Sequence, residues 1–273
     1  MLLLWLLPST LLVPPCPRWS AGPGPSDDPW PPLPPVVAPA APPAPAASVP
    51  LGWREQARYD VRFGPLGSVG ALTLSTKQGD AKTPVMSVHA EAEGAVLGLG
   101  RLQRRLDAEF DLAALRSRRW TEARVKGGET IVDVAERQAT GAFGLERRRG
   151  AEPPARLTAT FDVPTSDAAG LVLRLRLRPP APGQPETLQL LDGRALYRVR
   201  VWTAVEREPV PGQDRFGLRL DGEVTPVGDG DGEEKLRRFK LWLAEDPTRL
   251  PLRLEISLGI STLQIVLEEL RKT

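Results

Sequence analysis

Cysteine, histidine and tyrosine are nearly missing from this chain of 273 residues, with one, one and two copies. The single cysteine, Cys16, falls among the first twenty residues. The rest of the chain therefore has no disulfide, no thiolate nucleophile and no cysteine-ligated metal. Neither sign of charge is in excess: thirty-six Lys and Arg stand against thirty-four Asp and Glu, a net of +2. No strong field for a polyanion follows from that balance. The apolar run Leu2 to Val13 has twelve residues interrupted by Pro8, too short to span a bilayer. Gly64 to Gly70 and Gly94 to Gly100 are glycine-rich but hold neither a GxGxxG fingerprint nor a Walker lysine, and both read as strand connections.

What the chain does contain changes near residue 50. Sixteen of the thirty prolines precede that point, where only Arg18, Asp27 and Asp28 are charged. The run Leu2 to Val13 has the length of a signal-peptide core, although no basic residue precedes it. Residues 1–20 therefore read as a signal-peptide-like leader, and the protein as exported to the periplasm or cell envelope. Cys16 raises lipid anchoring, but Val13-Pro14-Pro15 stands where small, flexible residues are wanted, which argues against it. Residues 21–50 hold twelve prolines and read as a Pro/Ala-rich disordered tether in extended geometry. At ~3 Å per residue such a spacer reaches about 80–90 Å.

From residue 51 onwards the pattern is that of strands. Tyr59, Val61 and Phe63 alternate with charged neighbours, and period-2 runs recur to the end of the chain, separated by Gly-, Lys- and Asp-containing turns. The clearest stretch is the last. Phe239, Leu241 and Leu243 alternate with Lys240 and Trp242, and Glu245-Asp246-Pro247-Thr248 breaks the pattern. Leu250 to Leu258 resumes it, and Leu263, Ile265 and Leu267 make a third strand. Leu254 and Ile256 are assigned to the core and Glu255 to the other face. Thr165 to Leu177 is ambiguous: Leu171, Leu173, Leu175 and Leu177 alternate like a strand, whereas Pro164-Thr165-Ser166-Asp167 looks like a helix cap. Roughly a dozen strands without βαβ alternation predict an all-β fold. Residues 51–273 should form one large antiparallel curved sheet, an open barrel or a sandwich, with at most one short helix.

Three stretches resemble one bacterial family. Trp242-Leu-Ala-Glu-Asp246-Pro-Thr-Arg249-Leu-Pro251, followed by a strand, a glycine and a last strand, is similar to the C-terminal signature of the domain of unknown function 3108 family. Tyr59-Asp-Val-Arg-Phe63-Gly64-Pro-Leu-Gly-Ser-Val69-Gly70 resembles its opening strand and connection. Phe161-Asp162-Val163-Pro164 with Asp167 and Arg174 resembles its central motif, with Leu171 and Leu173 where aromatics are expected. The resemblance implies a β-rich envelope protein and a short helix within 165–177. It brings no activity and no catalytic residues to transfer.

Candidate chemistry is thin. His89 has Ser87 two positions earlier, on one face of a strand, but no Gly-x-Ser-x-Gly elbow surrounds that serine. Asp229, Asp231, Glu233 and Glu234 gather four carboxylates without an EF-hand ending, and read as a turn. No catalytic residue, metal ligand or cofactor site is assigned. Arginine supplies thirty of the thirty-six basic residues, which reads first as coding bias. Its densest stretch marks an anionic-ligand patch at Arg101, Arg104, Arg105, Arg118 and Arg119. Only Phe110 and Trp120 intervene there, too few aromatics for base stacking, so nucleic acid is not expected. Asp246 and Arg249 read as a structural turn, the guanidinium forking onto the carboxylate.

These features lead to an expected monomer without enzymatic activity, transmembrane span or cofactor. The first functional expectation is an apolar or lipid-like envelope ligand, or an anionic one, held by the curved sheet. The alternative is a structural or assembly factor that docks a protein partner through a sheet edge or an Arg-rich face. A hydrolase built on Ser87 and His89 is the third reading.

Overall fold

The computed structural model describes residues 54–79, 84–96, 100–126, 128–161, 163–193, 195–227, 237–258 and 261–272. The leader, the Pro/Ala segment and the acidic run Asp229 to Glu234 lie outside the described residues. The first half of the sheet is made of β1 (Arg54–Phe63), β2 (Ser68–Gln78), β3 (Val85–Val96) and β4 (Gly100–Asp111). It continues with β5 (Arg116–Lys126), β6 (Glu129–Arg137), β7 (Phe143–Arg149) and β8 (Ala155–Ala159). A short β9 (Thr165–Ser166) then leads into the helix α1 (Ala168–Leu177). The second half holds β10 (Glu186–Asp192), β11 (Ala195–Thr203), β12 (Glu208–Pro209) and β13 (Phe216–Pro226). It ends with β14 (Arg237–Leu243), β15 (Pro251–Ser257) and β16 (Thr262–Lys272).

These strands form one sheet in the order β8-β7-β6-β5-β4-β3-β2-β1-β16-β15-β14-β13-β11-β10-β9, with β12 added on β13. Neighbours are antiparallel except β9 and β10. Almost every connection is a hairpin because the chain meanders, and β1 pairing with β16 joins its two halves. The fold is all-β, a large curved sheet that is not closed: β8 and β9 are its ends. The helix reading of 168–177 holds.

Alternation decides the faces. Leu72, Leu74, Met86, Val88, Leu106, Phe110, Trp120, Leu241, Leu254 and Ile256 point to the inside and are buried. Glu255, between the last two, faces out and is paired with Arg253. Trp242 is the exception. It belongs to the outward set of β14 yet is 2 % exposed. The segment from Ala204 to Arg215, which carries β12, folds over that outer face. Gly217 makes room for it: a Cβ there would meet Val210 Cγ2 at 3.0 Å and Trp242 Cβ at 3.5 Å.

The helix α1 fills the space inside the curl. Asp167 caps it, its Oδ1 accepting from Ala169 N at 2.8 Å and Gly170 N at 3.1 Å. Ser117 Oγ of β5 donates to the other oxygen of Asp167 at 2.5 Å. Gly170 is what lets the helix press against β4 and β5, since a Cβ there would stand 2.1 Å from Ser117 Oγ and 3.3 Å from Phe110. Nearly every residue of α1 is buried, as expected of a helix apolar on most sides.

At the Asp246 turn the hydrogen-bond partners differ from the expected fork. Asp246 Oδ1 accepts from Thr248 N and from Thr248 Oγ1. Arg249, at φ +44°, turns inward instead and donates to Arg176 O at 3.3 Å and Leu177 O at 3.5 Å. It satisfies carbonyls that the end of a helix leaves without an intrahelical partner.

Candidate functional site

The inside of the curled sheet carries two charged clusters, one where α1 meets β1 and one centred on β4 to β7. In the first, Arg176 and Glu55 form a fully buried pair, Nη1 to Oε1 at 2.5 Å and Nη2 to Oε2 at 3.2 Å. Arg176 also donates through Nη2 to Thr248 O at 2.9 Å. Tyr59 lies beside this pair, and burial raises its phenol well above the usual range. Arg174, the partly exposed member of α1, reaches Leu115 O and Glu186.

In the second, arginines and carboxylates from six strands meet. Arg124 Nη1 lies 3.0 Å from Glu122 Oε1 and 3.0 Å from Asp133 Oδ2. Arg147 forks onto Asp133 at 2.6 and 3.0 Å, and Arg104 lies 3.7 Å from Glu122. Asp192, the last residue of β10, has its carboxyl raised to about 8, by burial first and then by the charge of Glu122, while Arg104 and Arg124 pull it the other way. Tyr197 of β11 and Arg237 of β14 complete the group. These charged residues occupy inward positions that alternation marks out but cannot explain, because the cluster takes partners from several strands, Asp133 from both β5 and β7.

The outer face is different. A groove of about 960 Å³ crosses β5 to β8, lined among others by Arg119, Val132, Val134, Glu136, Arg137 and Arg156. Arg148 and Arg156 share the carboxylate of Glu146, at 2.6 and 2.8 Å. Arg137 donates to Gly141 O at 3.0 Å and Thr165 O at 3.4 Å, and its guanidinium lies 4.3 Å from the centre of the Phe143 ring. Burial, and then the like charge of Arg116, lower the pKa of Arg137. A second hollow of about 420 Å³ adjoins it over β2 to β5 and shares Arg119 and Thr121.

That second hollow contains Ser87 and His89. His89 Nδ1 is 2.7 Å from Asp107 Oδ1, and Nε2 is 3.2 Å from Glu91 Oε1. Both ring nitrogens therefore face carboxylates. Partial burial works against the Asp107 charge, but hydrogen bonds from Arg105 and His89 outweigh it and hold its carboxyl below the usual range.

The five arginines of the expected anionic patch do not share one surface. Arg105, Arg118 and Arg119 are exposed, and Arg105 donates to Asp107 at 2.9 Å. Arg104 points inside and is 5 % exposed, because it has the parity of Leu106 and Phe110 rather than that of Arg105. The side chain of Arg101 lies outside the described residues. Sequence reasoning missed Arg137, Arg148 and Arg156 as groove residues. Alternation gives Arg148 and Arg156 an outward position but gives Arg137 the inward parity of Asp133 and Ala135, and it says nothing about which strands curve into a groove.

Among the described residues, no group of three or more His, Cys, Asp and Glu could hold a metal ion, and no helix is long and apolar enough to cross a membrane. A single curled sheet around a buried helix defines an open, barrel-like β domain. The chain belongs to the family described as Protein of unknown function (DUF3108), whose model matches residues 58–268. Among solved structures it is similar to a beta-barrel-like protein of domain of unknown function DUF1849 from Brucella abortus. That likeness has a TM-score of 0.53 at 12 % identity, over 82 % of this chain and 99 % of that one. It is a likeness of fold alone. No curated protein matches this chain.

Proposed function

We propose that this chain is an exported, non-catalytic cell-envelope protein whose β domain docks a partner protein, taking an extended acidic segment into the outer groove of β5 to β8. The lining of the groove carries this reading. Arg119, Arg137, Arg148 and Arg156 stand there against Glu136 and Glu146. Two of those arginines share Glu146, and Arg137 leans on carbonyls and a ring, so positive charge is left over. Val132 and Val134 give the groove an apolar floor. An extended peptide presents side chains to alternate sides, which suits a floor and walls of different chemistry. The packing of α1 inside the sheet supports docking over an enclosed apolar or lipid-like ligand, since Leu171, Leu173 and Leu175 occupy interior space. The carboxylates on both nitrogens of His89 support the non-catalytic part.

The test uses the full chain and a fluorescent decapeptide of alternating valine and glutamate, with phosphatidylglycerol vesicles as a second arm. Arg119→Glu with Arg156→Glu, both at exposed positions, is expected to weaken peptide binding about tenfold and to flatten its salt dependence. Equal binding by the variant rejects the groove. Binding to vesicles but not to peptide returns the function to a lipid ligand. Export has its own check. Leu3→Arg with Leu6→Arg removes the apolar run a signal peptide needs, and the protein is expected to stay in the cytoplasm. Unchanged delivery to the periplasm on fractionation removes that part of the reading.

A further inference from the structure

The two ends of the sheet are not alike. At one of them, Thr165 and Ser166 of β9 are buried, and Ser117 N of β5 donates to Ser166 Oγ at 3.4 Å. With α1 following at once, that end is tucked inside the curl. At the other, β8 pairs with β7 from Phe143 and Ala159 to Arg147 and Ala155 without a register shift. Among the described residues no strand pairs with its far edge. Such an edge points every second N–H and C=O away from the sheet. The devices that blunt edges are missing inside β8: no proline or bulge interrupts Ala155 to Ala159, and no charge points inward. Pro153 and Pro154 stand just before it.

Burial thins out towards that edge. Phe143 and Leu145, at inward positions of β7, are buried. Leu157, which pairs with Leu145, is half-buried, and Ala155 is exposed although it too has inward parity. The inner face is one strand short at β8. On the outer face, Arg156 and Thr158 line the groove. Arg156 shares Glu146 with Arg148, which leaves positive charge along this rim. A strand added here meets apolar surface on one face and cationic surface on the other.

We propose that the partner's acidic segment is held by strand addition to β8, pairing its backbone with the far edge of that strand, with acidic side chains beside Arg156 and apolar ones beside Leu157. This rests on the groove reading above and specifies how the segment is held. A strand of alternating acidic and apolar residues sends the two kinds to opposite faces, as this edge requires. The backbone hydrogen bonds supply affinity whatever the sequence, and the alternation supplies the choice of partner.

The experiment compares binding of three peptides to the full chain: the fluorescent valine–glutamate decapeptide, the same peptide N-methylated at every valine, and the same peptide N-methylated at every glutamate. A strand offers one alternate set of its N–H groups to the edge it pairs with. One methylated peptide is expected to bind at least about tenfold more weakly and the other within about threefold of the parent, because the backbone bonds to β8 are lost in one case only. In the saturated complex with the parent peptide, hydrogen exchange by mass spectrometry is expected to slow in residues 155–159. Equal binding by all three peptides overturns strand addition, and so does unchanged exchange at 155–159. If Arg119→Glu with Arg156→Glu still weakens the parent peptide in that event, the groove reading stands and strand addition alone fails. A parent peptide that does not bind at all removes both. Native mass spectrometry of the chain without peptide tests the other occupant: a dimer that the peptide dissociates gives the β8 edge to a second copy and overturns the partner segment.

Discussion

Glu55→Ala is expected to destabilise the protein by about 3–5 kcal/mol, the cost of leaving a buried charge without its partner. The Arg176 side chain is fully buried, and both oxygens of Glu55 receive its hydrogen bonds. Removing the carboxylate strands a guanidinium that cannot turn to water, because it is part of the helix inside the sheet. The companion variant separates charge from packing. Glu55→Leu with Arg176→Met removes both charges and keeps volume, so most of the loss should return, less what Thr248 O forfeits as an acceptor. Urea denaturation at neutral pH reads both. A Glu55→Ala protein within 1 kcal/mol of native would mean that the pair is not closed off from water.

The second large effect lies on β15. Leu254 and Ile256 are 5 % and 3 % exposed, so Leu254→Ala and Ile256→Ala should each cost about 2–5 kcal/mol through lost burial and the cavity left behind. Glu255 is on the opposite face with Arg253 as its partner at 2.6 Å, and Glu255→Ala should stay within about 0.5 kcal/mol. Asp246→Ala should fall between, at about 1 kcal/mol, since its carboxylate accepts from Thr248 N and Oγ1. Denaturation midpoints of the four proteins test the register. A slip of one residue would exchange the costs of Leu254 and Glu255.

Much of the fold was legible because a strand advertises itself locally. The pairing of β14, β15 and β16 follows from alternation and from the turn at Asp246, as that pattern implies. Gly128, at φ +82°, closes the β5–β6 hairpin in the conformation that glycine favours. The helix was harder. Its leucines at every second position imitate a strand, and the deciding feature is Asp167, whose cap is local.

The charged residues were legible only in part. Arg104 and Arg105 are neighbours in the chain, and the alternation of a strand sends them to opposite faces. The expectation of one arginine patch ignored that geometry. Arg176 was invisible as a buried residue because its partner, Glu55, stands 121 positions away. Arg249 was paired with nearby Asp246 on sequence proximity, whereas the carbonyls it serves lie 72 and 73 positions earlier. Trp242 was put on the outer face correctly, but the segment around Val210 that covers it is not announced by any period.

The amino-acid order by itself therefore determined which segments are strands, where they turn, and the two sets of side chains on each strand. Those properties depend on φ, ψ and contacts within a few residues. Only the tertiary structure decided which charges are held inside, that α1 fills the interior, and that β5 to β8 present a groove. Desolvation makes a buried charge depend on a partner supplied by distant chain, and curvature appears only when all the strands have paired.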